Sequence, residues 1–214
     1  MKLLIIILGH VFKPEWCDNI KQLNECMKKN GIQIDYCGIS NQDDFHVYEP
    51  IIDFKFKIIN SKKQLSKMCD FITEYKSQLD YDWYMKFRPD IKLLDTISFD
   101  SLSEHAINAR ARVYNGPKKI KYGMSVNGEG RWKFIGDCHY SDTEHDIILD
   151  DQIYIFHDNV VRNNAFEKIL VPFEPEYEWT HSNLFKERKI PLNVIGINAC
   201  LIKHGVFSGH INMG

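Results

Sequence analysis

Polar residues able to do chemistry stand where the apolar runs of this sequence stop: Gly9-His10, Asn60-Ser61 with Gln64, Arg88-Pro89-Asp90, Asp150-Asp151-Gln152 and His204. His210 follows close to the carboxyl end. Carboxylates so placed can hold a hard cation or take up a proton, and a guanidinium beside one can pin it or neutralise an anion. The Gln64 amide and the Gly9-His10 turn offer groups that read the polar edge of a small ligand. In open α/β sheets ligands bind outside the carboxyl ends of the strands, so these positions converge on one crevice.

Asp90 is the focus. The stretch Trp83 to Leu94, WYMKFRPDIKLL, is apolar up to Phe87, breaks at Arg88-Pro89-Asp90 and resumes at Ile91. Pro89 has no amide for a ladder and biases Arg88 toward extended conformations, so pairing should stop there and leave Asp90 free to turn outward. Asp80-Tyr81-Asp82 is the more obvious Asp-x-Asp, but it precedes the strand. It should lie at the amino end of the sheet as a solvated turn. His139, Glu144 and His145 match no common metal spacing and read as a polar loop.

Asp150 and Asp151 stand between the apolar runs Ile147 to Leu149 and Ile153 to Phe156, where a carboxylate is partly desolvated. Neighbours in an extended segment point to opposite faces, so one of the two can face the crevice. Asp151 is the choice, because Gln152 and Ile153 begin the next buried element.

The elements needed to position these groups are legible. Lys2 to Leu8 is a continuous aliphatic run, the pattern of a strand buried on both faces. Glu15 to Asn30 has helical spacing and stops at Asn30-Gly31, and Ile32 to Ile39 is a second strand. Strand, helix, strand makes a right-handed parallel βαβ unit. A polar loop over 40–49 leads to an extended segment, Ile51 to Ile59, and Asn60-Ser61 should cap a helix running to Tyr75. Beyond the central strand, the pattern suggests a short helix over 100–105, a strand over 106–114 and a loop over 118–131. Helices over 159–170 and 177–189 should follow, and then a last strand over 192–202. The expected fold is α/β: a three-layer sandwich whose mixed, mostly parallel twisted sheet of about six or more strands lies between helices.

Size and composition bound the rest. With 214 residues the chain suits one α/β domain, a ligand-binding half at about 1–95 and a second half at about 96–214. A net charge of -2 argues against a nucleic-acid footprint or a polybasic membrane patch. The six cysteines (17, 26, 37, 69, 138, 200) are scattered without a CxxC pair, which suits reduced thiols and a cytoplasmic setting. MKLLIIILGH is too short in its apolar run for a signal peptide, and no later run approaches a membrane span. The tail GVFSGHINMG suggests a domain cut from a longer, multidomain chain.

Taken together, KFRPDI, LDDQIYIF and the Asn60 to Gln64 helix start resemble glycosyltransferases of the GT-A type. The closer likeness is to members whose Asp-x-Asp motif reads Arg-x-Asp. More narrowly, it is to the amino-terminal glycosyltransferase domain that large chlorella viruses encode for capsid glycans. The resemblance implies sugar transfer from a UDP-sugar donor to a glycan or glycoprotein acceptor. It implies Mn2+ or Mg2+ held by Asp90, with His204 or His210 completing the shell, and Asp151 beside the acceptor as catalytic base. Gly9, His10, Asn60, Gln64, Arg88 and Asp90 itself would hold the nucleotide. Arg88 departs from the family pattern, since a guanidinium cannot ligate a metal.

Two other functions fit the same elements. A sugar-phosphate nucleotidyltransferase uses a similar sheet, but it needs a Gly-rich basic turn after its first strand, and GHVFKPEW is a poor one. A carbohydrate or nucleotide-sugar binding module without turnover would also use aromatics such as Trp132 and Trp179 to stack on sugars.

Overall fold

The computed structural model of the chain describes residues 1–29, 31–114, 120–121, 146–167, 178–197, 199–203 and 206–207. The order begins with β1 (Lys2–Leu8), α1 (Cys17–Lys28), β2 (Gln33–Ser40), β3 (Phe54–Ile59), α2 (Gln64–Tyr75) and β4 (Trp83–Phe87). It continues through β5 (Ile91–Leu93), β6 (Ile107–Tyr114), β7 (Ile120–Lys121), β8 (Asp146–His157), α3 (Asp158–Arg162) and α4 (Glu178–Glu187). It closes with β9 (Leu192–Val194), β10 (Ala199–Lys203) and β11 (Val206–Phe207).

β1 explains the layering. Leu3 to Leu8 have no exposed surface, and alternate residues enter two different cores. Leu4, Ile6 and Leu8 pack with Leu65 and Phe71 of α2, Val160 of α3 and Phe185 of α4. Leu3, Ile5 and Ile7 pack with Ile20, Leu23 and Met27 of α1 and with Ile91 and Leu93 of β5. A strand that is apolar on both faces needs cover on both faces, and this gives three layers.

Among the described residues the main sheet runs β3-β2-β1-β4-β8-β6-β7, with β9 paired to β6; β11-β10-β5 form a small second sheet. β1 to β4 are mutually parallel in this order, β8 runs antiparallel to both β4 and β6, and β9 is parallel to β6. The expected mixed α/β sheet between helices is therefore the fold. The α1 stop holds as well: Gly31 has φ 63, a left-handed conformation that costs glycine no Cβ clash.

Several expectations need correction. Residues 40–49 are not simply a polar loop, because Phe45 and Tyr48 turn inward and stack around Phe12 and Phe54. The third strand accordingly starts at Phe54 rather than Ile51. Asn60 does not cap α2. Its side chain accepts from the Lys62 amide (2.9 Å) and donates to Asp70 (3.0 Å), and Gln64 becomes the first helical residue.

Residues 100–105 form turns rather than a helix, since the buried Asn108 side chain binds both the amide and the carbonyl of Ser103. Among the described residues of the helix expected over 159–170, the helix is Asp158–Arg162, ended by turns that place Asn164 at φ 60. The last strand divides, because β9 joins the main sheet while β10 joins β5. Asp150 and Asp151 do not separate two elements either; they lie within β8.

Candidate functional site

β1 and β4 are adjacent parallel strands with Ile7 opposite Phe87, so their carboxyl ends open side by side. Gly9 and His10 leave β1, and Arg88-Pro89-Asp90 leave β4. A cavity of about 100 Å³ lies between them, lined by Gly9, His10, Trp16, Gln64, Arg88 and Asp90, among others. Five of the six residues expected to hold a nucleotide therefore share one cavity. The sixth, Asn60, is not among its lining residues.

Backbone chemistry fixes the rim. The Arg88 amide donates to Gln152 of β8 (3.2 Å), and pairing stops at Pro89. The Ile91 amide then bonds back to Arg88 (3.1 Å), a turn that carries Asp90 out of the sheet. Gly9 lets β1 and this turn approach, since a Cβ there would lie 3.2 Å from Pro89 Cγ. The ammonium of the buried Lys67 on α2 donates to the Gly9 carbonyl (2.7 Å) and to the Asn41 side chain.

Asp90 is not a bare carboxylate. Arg88 Nε donates to Oδ1 (3.0 Å) and its terminal nitrogen to Oδ2 (2.6 Å), a bidentate pair largely withdrawn from water. The Asp-x-Asp at the other end of the sheet behaves as its position demanded. Asp80 is an exposed partner of the Lys2 ammonium (2.6 Å), and Asp82 accepts from the Lys2 amide (2.7 Å).

The acidic segment of β8 occupies a wide bulge. Ala109 pairs with Tyr154 and Ala111 with Leu149, so residues 150–153 stand opposite Arg110 alone. Arg110 occupies that gap, with Asp150 at 2.5 Å, the Gln152 side-chain oxygen at 3.1 Å and the Ala199 carbonyl at 2.9 Å. Asp150 is thus engaged with Arg110. Asp151 is buried too, at 9% exposure, and its backbone carbonyl accepts from Lys86.

Lys86 is the functional candidate that sequence reasoning missed. It lies in β4 with no exposed surface, 5.6 Å from the Tyr154 ring centroid, and donates to Gln64 Oε1 (2.8 Å). Burial pushes its pKa down to about 8 against the pull of Asp151. A lysine inside the apolar run WYMKF was the available signal. His181 of α4 belongs to the same buried cluster, 3.4 Å from the Tyr154 hydroxyl, and its pKa is pushed down to about 3 by burial and then by Lys86.

His204 and His210, expected to complete a metal shell, lie outside the described residues, as do Trp132 and the 137–145 segment; the Trp179 side chain is likewise not described. Among the described residues no cluster of three His, Cys, Asp or Glu forms a ready-made metal site. Magnesium and manganese are commonly held by one or two carboxylates plus substrate phosphates. Each Asp90 oxygen keeps a further acceptor site beyond its bond to Arg88, so Asp90 fits a cation bound mostly by its substrate. Cys17, Cys26 and Cys37 are free thiols. No helix among the described residues is long and apolar enough to cross a membrane.

No protein-family model and no curated protein sequence matches the chain. Solved structures do. A nucleoside-diphosphate-sugar pyrophosphorylase from Vibrio cholerae RC9 aligns with TM-score 0.53 and 12% identity over 96% of each chain. A197 from STIV aligns with TM-score 0.50 and 11% identity over 96% of this chain and 87% of that one. At such identities the likeness is one of fold.

Proposed function

We propose that the chain is a transferase that moves a sugar from a nucleoside-diphosphate donor, UDP-linked, to a hydroxyl of a glycan acceptor. The observation that carries this is the convergence of Gly9, His10, Gln64, Arg88 and Asp90 on one cavity at the carboxyl ends of β1 and β4. Gln64 and the Gly9-His10 turn would meet the uracil, and Arg88 the diphosphate. Asp90 would hold Mn2+ or Mg2+ brought in by the phosphates, which when bound offsets charge on the departing diphosphate. Asp151 would take the acceptor proton.

The fold shared with a nucleoside-diphosphate-sugar pyrophosphorylase supports a nucleotide-sugar ligand and also favours a second reading, nucleotidyl transfer. That chemistry needs a turn whose amides cradle a triphosphate. Here the Gly9 amide bonds Ile39, the Phe12 amide bonds Asp44 (2.6 Å) and the Lys13 amide bonds the Tyr48 hydroxyl (3.3 Å). A turn with these amides already engaged is a poor cradle, which favours the sugar-transfer reading.

A thermal-shift panel of UDP, GDP, CMP and ADP, each with and without manganese, tests the ligand class. UDP with manganese should give the largest rise. Asp90→Asn should remove the manganese-dependent part while Asp80→Asn and Asp82→Asn keep it. Equal losses in all three would sink the placement of the site.

A further inference from the structure

Lysine has three donors and no acceptor, so the group facing the Lys86 ammonium must accept. Two oxygens do so: the Asp151 carbonyl and Oε1 of Gln64. An amide offers an oxygen on one side and an NH2 on the other, and a neighbouring lysine decides which way it is turned. With Oε1 held by Lys86, Nε2 is the end left for other partners, and Gln64 lines the cavity.

We propose that Lys86 is a specificity-determining positioning residue, which turns Gln64 into a hydrogen-bond donor toward the cavity and so selects a ligand that presents an acceptor oxygen there. This rests on the reading of the cavity as a nucleotide site and deepens it. A uracil presents a carbonyl at the position where cytosine presents an amino group, so a fixed donor at that point favours uridine over cytidine. A diphosphate oxygen offers the same acceptor chemistry without discriminating between the bases.

Charge in the cluster supports the arrangement. Lys86 is faced by Asp150, Asp151 and Tyr154 of β8, by His181 of α4, and by Arg88 and Asp90 beyond its own strand. Burial lowers its pKa to about 8, which keeps it a donor at neutral pH and brings its loss of a proton into an accessible range. Once neutral, it no longer dictates the orientation of Gln64.

Calorimetric titration of the full chain with UDP and CDP, each with manganese, tests this. Gln64→Glu retains size and a partner for Lys86 but lacks the donor, and should weaken UDP at least tenfold with little change in melting temperature. Lys86→Met should weaken UDP severalfold, and Gln64→Ala should cost nothing further in that background. Wild-type affinity should fall as pH rises through about 8, whereas Gln64→Ala should be flat there, a comparison that needs no Lys86 variant. Loss of the preference for UDP over CDP in Gln64→Glu identifies the acceptor as uracil; equal losses for both identify it as phosphate. Additive losses, or wild-type binding by Gln64→Glu, overturn the inference. A wild-type chain that binds neither nucleotide overturns the functional reading and, with it, this ligand assignment.

Discussion

Buried ionisable side chains set the chemistry of this molecule at the scale of the residue. His181 has no room for a hydration shell and faces Lys86, so it stays neutral well below the usual histidine range, down to about pH 3. In the unfolded chain it would protonate near pH 6.5. Between those values the unfolded state binds the extra proton, so stability attributable to His181 is present above about pH 6.5 and drains away toward pH 3. Replacing it with Asn should flatten the acid side of the melting-temperature profile. At about 1.4 kcal/mol per pKa unit, the relative gain at pH 4.5 is about 3 kcal/mol. An unchanged slope between pH 6.5 and 4.5 would show that His181 titrates normally.

At the scale of the element, β8 organises the second half of the chain. It pairs with β4 along five residues, Trp83↔His157 to Phe87↔Ile153, and leaves the β6 ladder just beyond, where Arg110 takes up the slack. Both members of the Arg110–Asp150 pair are 6% exposed, and removing one leaves the other as an uncompensated buried charge. Arg110→Ala should therefore cost about 3 to 5 kcal/mol in denaturant unfolding, whereas the double change Arg110→Met with Asp150→Leu should recover most of it. Additive losses in the double variant would mean that the bulge is held by backbone contacts instead. β8 also shows the limit of periodicity. LDDQ reads as a break because acids interrupt the apolar run, yet the strand continues, since an arginine forty residues away supplies the charge its bulge needs.

The whole molecule was readable where a signal was local and strong. The aliphatic run of β1, the proline at the end of β4 and the glycine after α1 each act within a few residues, and they fix the layers and the opening of the cavity. Signals that depend on distant partners were not readable. The Asn60 side chain is turned by Asp70, the 192–202 run is divided between two sheets, and Lys86 acquires meaning only when Gln64 and Asp151 meet it. Gly9, His10, Gln64, Arg88 and Asp90 could be gathered from the strand-end rule alone. Pinning of Asp90 was one of the two roles the sequence left open to Arg88; its bidentate geometry was not readable, because residues two apart can face any direction once a strand has ended.

The central claim is that this site transfers a sugar from a nucleoside-diphosphate donor, and product identity tests it most directly. The full chain should be incubated with UDP-sugars, manganese and a panel of hydroxyl acceptors, and separately with UTP and sugar 1-phosphates, with UDP and pyrophosphate each quantified. The account predicts UDP release from a UDP-sugar and no pyrophosphate from UTP. In Asp151→Asn, UDP binding should persist while turnover falls by about 10² to 10⁴. Pyrophosphate formed from UTP and a sugar 1-phosphate, with no UDP released from any UDP-sugar, would contradict it.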